Sequence, residues 1–147
     1  KGTYIRTVCS DIGKVLDCGA CLSGLRRTQS GFFTENMAVP LGNVSAEERK
    51  KALLSNMLPM AQSLPNFAAI EISESLAGKL RTGFQPDVEM MRQNVLPFLA
   101  AGDMIKFTDS DGQLVAVAEM KVSASLMDGQ DGKTQAARML RIFNSTN

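Results

Sequence analysis

Apolar side chains at Ile5, Val8, Cys9, Ile12, Val15 and Leu16 recur at three- and four-residue spacing, which predicts a helix within Lys1–Leu16 after an extended entry. Gly13 weakens that helix, and Asp17 to Gly19 is a plausible stop. Ala20 to Ser30 reads as a strand that Gly31 ends. One helix and one strand bury little surface alone, so they read as the last pieces of a larger sheet. Between residues 34 and 65 the pattern is that of a connector. Its Ser45-x-x-Glu48 has the form of a capping box that opens a helix running through Leu53, Leu54 and Met57 towards Pro59.

From about Asn66 the pattern changes to that of a compact mixed domain. Ala68, Ile70 and Ile72 alternate as in a half-buried strand over Phe67–Ser73. A short helix over Ser73–Leu80 follows, with Gly83 as its C-cap, and Asp87–Asn94 reads as a further helical turn bounded by Pro97. Met104–Thr108, Leu114–Val122 and Met139–Phe143 are strand candidates. The turn sequence Asp109-Ser110-Asp111-Gly112 pairs the first two as a hairpin, and a glycine-rich loop over Asp128–Gly132 precedes the third. Short strands with one or two small helices predict a small barrel rather than a doubly wound sheet.

Charge sharpens this division. Residues 1–33 carry Lys1, Arg6, Lys14, Arg26 and Arg27 against Asp11 and Asp17, a net +3, whereas the remainder is net −2. A basic N-terminal third suits a polyanion but is equally compatible with a solvated face. The run Arg49-Lys50-Lys51 is expected to be a solvated helix face in preference to an RNA contact. Cys18 and Cys21 have C-x-x-C spacing, yet only Cys9 and no histidine accompanies them. Reduced thiols are therefore expected rather than zinc, and the odd count fits a reducing cytoplasm. No apolar run is long enough to span a bilayer. The first residue is Lys1 rather than Met, so the gene product is expected to begin further upstream.

Standard catalytic patterns are nearly absent. Without histidine, Ser-His-Asp and Cys-His arrangements cannot form within this chain, and neither a Walker loop nor a dinucleotide fingerprint occurs. From the residues alone, an RNA-binding or interaction module is as far as the reading goes.

Two motifs extend it. Lys1-Gly2-Thr3-Tyr4-Ile5-Arg6-Thr7 is followed by Asp11-Ile12-Gly13, then by Cys18-Gly19-Ala20, Leu22 and Leu25-Arg26-Arg27-Thr28-x-Ser30-Gly31. In order and separation these resemble the TruB family of tRNA pseudouridine synthases. Further on, Leu58-Pro59-Met60 to Leu64-Pro65 resembles that family's interdomain linker. Ala101-Gly102-Asp103-Met104-Ile105-Lys106-Phe107, Asp111-Gly112 and Leu114-Val115-Ala116-Val117-Ala118 resemble a PUA-type RNA-binding domain. The resemblance implies an α+β chain in three parts: the end of a mixed-sheet catalytic domain (1–33), a helical connector (34–65) and a PUA-like β pseudo-barrel (66–147).

It also implies a chemistry. The family isomerises the T-loop uridine at position 55 of tRNA to pseudouridine, flipping the base into a pocket and attacking with an aspartate. Tyr4 matches the pocket tyrosine, whose ring stacks on the uracil and whose hydroxyl assists removal of the C5 proton; a core tyrosine is the plain alternative. Arg6 matches the arginine that pairs with the nucleophilic aspartate. Leu25 matches an apolar residue against the flipped base, or is simply core. Lys1, Arg26 and Arg27 could meet phosphates of the stem-loop, and the arginines could equally form internal ion pairs. The Gly-x-Leu-Asp-type motif carrying the nucleophile does not occur here, and neither Asp11 nor Asp17 matches it. This chain alone is thus expected to be inactive, and the intact protein to be a cytoplasmic, monomeric enzyme acting on the tRNA T-stem-loop without cofactor, metal or membrane.

Overall fold

A computed structural model describes residues 2–144. The chain divides into two compact units, 1–52 and 53–147.

In the first unit, α1 (Ile5–Val15) begins after Tyr4, which holds extended backbone as N-cap and accepts from the amides of Thr7 and Val8 at 3.0 and 3.1 Å. The helix stops where Asp17 takes φ +53 and the chain folds back, Cys18 and Gly19 donating to the Gly13 carbonyl at 3.2 and 3.1 Å. Only Gln29–Ser30 (β1) of the strand expected over 20–30 pairs, antiparallel to Phe33–Thr34 (β2), through a turn that Gly31 permits at φ +61. The physical reason is the lack of a neighbour: among the described residues, no second strand runs beside 20–28 to take up its backbone groups. Next comes α2 (Ala46–Ser55), which crosses the boundary between the units. Its capping box forms as expected: the Ser45 amide donates to Glu48 Oε2 at 2.9 Å and the Glu48 amide to Ser45 Oγ at 3.3 Å. The helix ends earlier than the apolar pattern suggested, because Leu53, Leu54 and Met57 are exposed and no buried face sustains another turn.

The second unit is a mixed α+β domain. A four-stranded sheet runs in the order β3 (Ala68–Glu71), β4 (Met104–Thr108), β5 (Leu114–Met120), β6 (Ala137–Ile142). β3 and β4 are parallel, so their connection must cross over, and it carries α3 (Glu74–Arg81) and α4 (Val88–Arg92). Ser73 caps α3 through Leu76 N, Gly83 takes φ +91 just past its end, and Asp87 caps α4 through Met90 N. The hairpin at 109–112 joins β4 and β5 as expected, with Gly112 at φ +72. β5 stops two residues short of Val122, because Lys121 and Val122 turn their amides onto the Ala136 carbonyl. β3 and β6 stand at the sheet's edges, and outside its ladders one isolated bridge joins Asp87 and Gln135 among the described residues.

Ile70, Leu80, Val88, Met91, Ile105, Phe107, Val115 and Met127 form the core where α3 and α4 cover the sheet. A smaller cluster of Ala61, Leu114 and Val117, with Leu64, Phe67, Met104 and Phe143 packed against it, holds residues 60–67 to the domain. There the Lys106 ammonium donates to the carbonyls of Ala61 and Leu64 at 2.7 and 2.9 Å. A cation with two acceptors is a stronger tie than a neutral hydrogen bond, and it fixes the turn of chain at 60–63.

Glu119 sits between two cations. Its carboxyl is held below the ordinary value of 4.5, first by the hydrogen bond from Lys121 and also by that cation's charge and by Arg138, while burial opposes the shift. A depressed carboxylate contributes stability above pH 4.5 and loses it as pH falls through the folded-state pKa. Melting from neutral pH down to about pH 3 should therefore show the wild type above Glu119→Gln at neutral pH and the two converging in acid. Parallel curves across the range would show that the pair contributes nothing.

Candidate functional site

The sites expected from sequence lie in the first unit. Tyr4 is 79% exposed at the start of α1. Arg6 lies in the first helical turn, exposed, with no hydrogen bond or ion pair to its guanidinium among the described residues. Two residues of spacing at a helix start bring Tyr4 and Arg6 near one another in the chain. Leu25 follows on the unpaired segment after the fold-back and is 68% exposed. Arg26 is paired with Glu35, whereas Arg27 is exposed without a side-chain partner among the described residues. Lys1 lies outside the described residues.

Exposure is the unit's dominant property. The α1 stripe read from the sequence is real in spacing but uncovered: Ile5, Val8, Ile12, Val15 and Leu16 are all exposed. A shallow apolar depression of about 380 Å³ runs along Val8, Ile12, Val15 and Leu16. Only Gly13 of α1 is fully buried, with Cys9 and Ser10 half-buried on the same side. The sequence offered Gly13 as a helix weakener. Its function as a contact was missed because it depends on a chain reversal that spacing does not reveal. Cys18 and Cys21 are exposed free thiols, and among the described residues no three metal-ligating side chains cluster.

In the second unit most cations already have partners. Arg81 pairs with Glu74 at 2.9 Å and lies 3.9 Å from Asp109. Arg92 donates to the carbonyls of Met127 and Gln130. Lys121 and Arg138 share Glu119. Lys79, Lys133 and Arg141 are exposed without side-chain partners among the described residues. A polar groove of about 370 Å³ beside α3 and α4 is lined by Lys79, Phe84, Asp87, Glu89 and Gln93 among others. Its two carboxylates oppose its one lysine, so it is no strong anion site.

Among the described residues no helix is long and apolar enough to cross a membrane. Residues 6–64 match the family described as tRNA pseudouridylate synthase B C-terminal domain. The chain is 47% identical over 144 residues to tRNA pseudouridine synthase B of Syntrophus aciditrophicus, covering 98% of this chain and 46% of that protein. It is 31% identical over 144 residues to the Geobacter sulfurreducens protein of the same name, covering 98% and 45%. The chain spans about half the length of these curated relatives. In fold it is similar to a chain of the archaeal box H/ACA sRNP Nop10–Cbf5 complex, with TM-score 0.66 at 23% identity, over 97% of this chain and 48% of that one. It is likewise similar to a chain of an H/ACA RNP bound to a substrate RNA containing 2'-deoxyuridine, with TM-score 0.67 at 23% identity, over 97% and 47%. The chain thus matches the C-terminal region of the TruB family.

Proposed function

We propose that this chain is the C-terminal part of a tRNA pseudouridine synthase that isomerises a T-loop uridine. In this reading Tyr4 stacks on the flipped uracil and its hydroxyl assists removal of the C5 proton. Arg6 orients and keeps ionised the nucleophilic aspartate contributed by upstream protein. Leu25 packs on the base, and Lys1 and Arg27 meet phosphates; Arg26 does so only by leaving Glu35. The second unit is a PUA-like domain that orients the RNA, and the intact enzyme works as a cytoplasmic monomer without a cofactor.

The observation that carries this reading is 47% identity over 98% of the chain to a protein of that name, with the Tyr4 and Leu25 motifs inside the matched region. Two features of the structure support it. The uncovered stripe of α1 and the segment 20–27, which has no strand neighbour among the described residues, both suit a unit that completes a sheet with further protein. A second reading, a non-catalytic PUA-like RNA-binding module, draws on one observation: the second unit has a core of its own, whereas among the described residues the first shows none.

Tritium release from uridine-labelled tRNA separates them. The 147-residue chain should release none, because a positioned nucleophile has no distant substitute, whereas the full-length protein should turn over. Turnover by the short chain would overturn the assignment of the nucleophile to upstream protein. A reading frame without a Gly-x-Leu-Asp-type motif 5' of Lys1 would leave only the binding module.

A further inference from the structure

We propose that Gly13 is a positioning residue of the candidate uridine site, setting how closely the segment bearing Leu25 and Arg27 crosses the helix bearing Tyr4 and Arg6. The inference rests on the proposed function.

At Gly13 the chain after α1 packs directly against the helix backbone. A Cβ there would lie 2.2 Å from the Ala20 amide nitrogen, 2.4 Å from the Gly19 carbonyl carbon and 2.8 Å from Ala20 Cβ. Two of these three neighbours are backbone, so no rotamer change relieves the overlap. The same residue's carbonyl accepts the amides of both Cys18 and Gly19, and Asp17 takes φ +53 to make the reversal. The crossing is therefore held by hydrogen bonds as well as by contact.

Helical geometry says which face is crossed. Seven residues are close to two turns, so Arg6 and Gly13 share a face, with the half-buried Cys9 and Ser10 between them. The fold-back thus meets the Arg6 face of α1, and the chain leaving it reaches Leu25 five residues after Ala20. Any side chain at 13 would lift residues 19–20 off that face by about 1 Å and carry the start of the Leu25 segment with it. Displacement on that scale in a site that orients a reacting base can cost about a hundredfold in rate.

Helix propensity makes the opposite forecast. Alanine forms helix better than glycine, so Gly13→Ala would strengthen α1 if the glycine merely weakened it. Gly78 is a matched control: it lies inside α3, and a Cβ there meets nothing within 4 Å.

The test is steady-state tritium release by the full-length protein on a T-stem-loop RNA, comparing wild type, Gly13→Ala and Gly78→Ala, with thermal midpoints of each. Gly13→Ala should lose about a hundredfold in kcat while its KM stays within about threefold of wild type and its melting matches that of a folded protein. In parallel, hydrogen exchange should show the Cys18 and Gly19 amides losing protection. Full activity of Gly13→Ala, alongside an active wild type, would overturn the inference and leave the proposed function standing. Loss of the folded state in Gly13→Ala would also overturn it, assigning the glycine to stability instead. An inactive wild-type protein would bring down the proposed function itself.

Discussion

Tyr4→Phe in the full-length protein is expected to lower single-turnover tritium release by about 10²- to 10⁴-fold, the range of general acid–base assistance, with RNA affinity nearly unchanged. The substitution keeps the ring and deletes the hydroxyl, so stacking on a flipped base survives while the group that assists proton removal is lost. Tyr4→Ala removes both and should also weaken binding, because stacking contributes about 1–3 kcal/mol per base. Within these 147 residues Tyr4 is the only tyrosine and there is no tryptophan, so RNA stacking on the 147-residue chain can be followed as quenching of Tyr4. In this unit Tyr4 is 79% exposed. If Tyr4→Phe and wild type release tritium at equal rates, the hydroxyl has no part in the reaction and Tyr4 serves as a stacking surface alone.

The second large effect is on stability. Phe107 lies fully buried on β4, within the core that joins α3 and α4 to the sheet. Phe107→Ala removes a ring and leaves a cavity in a site walled by β3, β5 and the helices, which costs about 3–5 kcal/mol. In a domain of this size that corresponds to a fall in thermal midpoint of more than 10 °C, at about 4–8 °C per kcal/mol. Phe98 provides the contrast, being 93% exposed; Phe98→Ala should change the midpoint by no more than about 0.5 kcal/mol allows. Urea unfolding of the second unit, followed by far-ultraviolet circular dichroism, measures both. A drop for Phe98→Ala comparable with that for Phe107→Ala would mean that the core has been misidentified.

Elements whose stabilising groups are near in sequence were legible without coordinates. The Ser45–Glu48 box, the helical segments beginning near Ser73 and Asp87, the 109–112 turn and the glycine stop at Gly83 are each fixed by groups within a few residues. The α1 spacing was equally plain. What the spacing could not tell was whether anything covers that stripe. The expected strand over 20–30 shows the same limit from the other side: its residues suit a strand, but a strand exists only as a pair, and only Gln29–Ser30 finds a partner. The candidate site residues were proposed from the two motifs rather than from charge. Gly13, the contact on which its geometry turns, reads as an ordinary helix-weakening glycine until the reversal at Asp17 is seen.

The amino-acid sequence by itself carried the family resemblance and most local starts and stops, because motifs and caps are written in neighbouring positions. Only the tertiary structure decided the parallel pairing of β3 with β4, the tie from Lys106 to residues 61 and 64, and the closeness of residues 19–20 to Gly13. Each of these joins atoms whose approach depends on how the chain closes on itself, and hydrophobic periodicity carries no record of which partner a face or a backbone edge will meet.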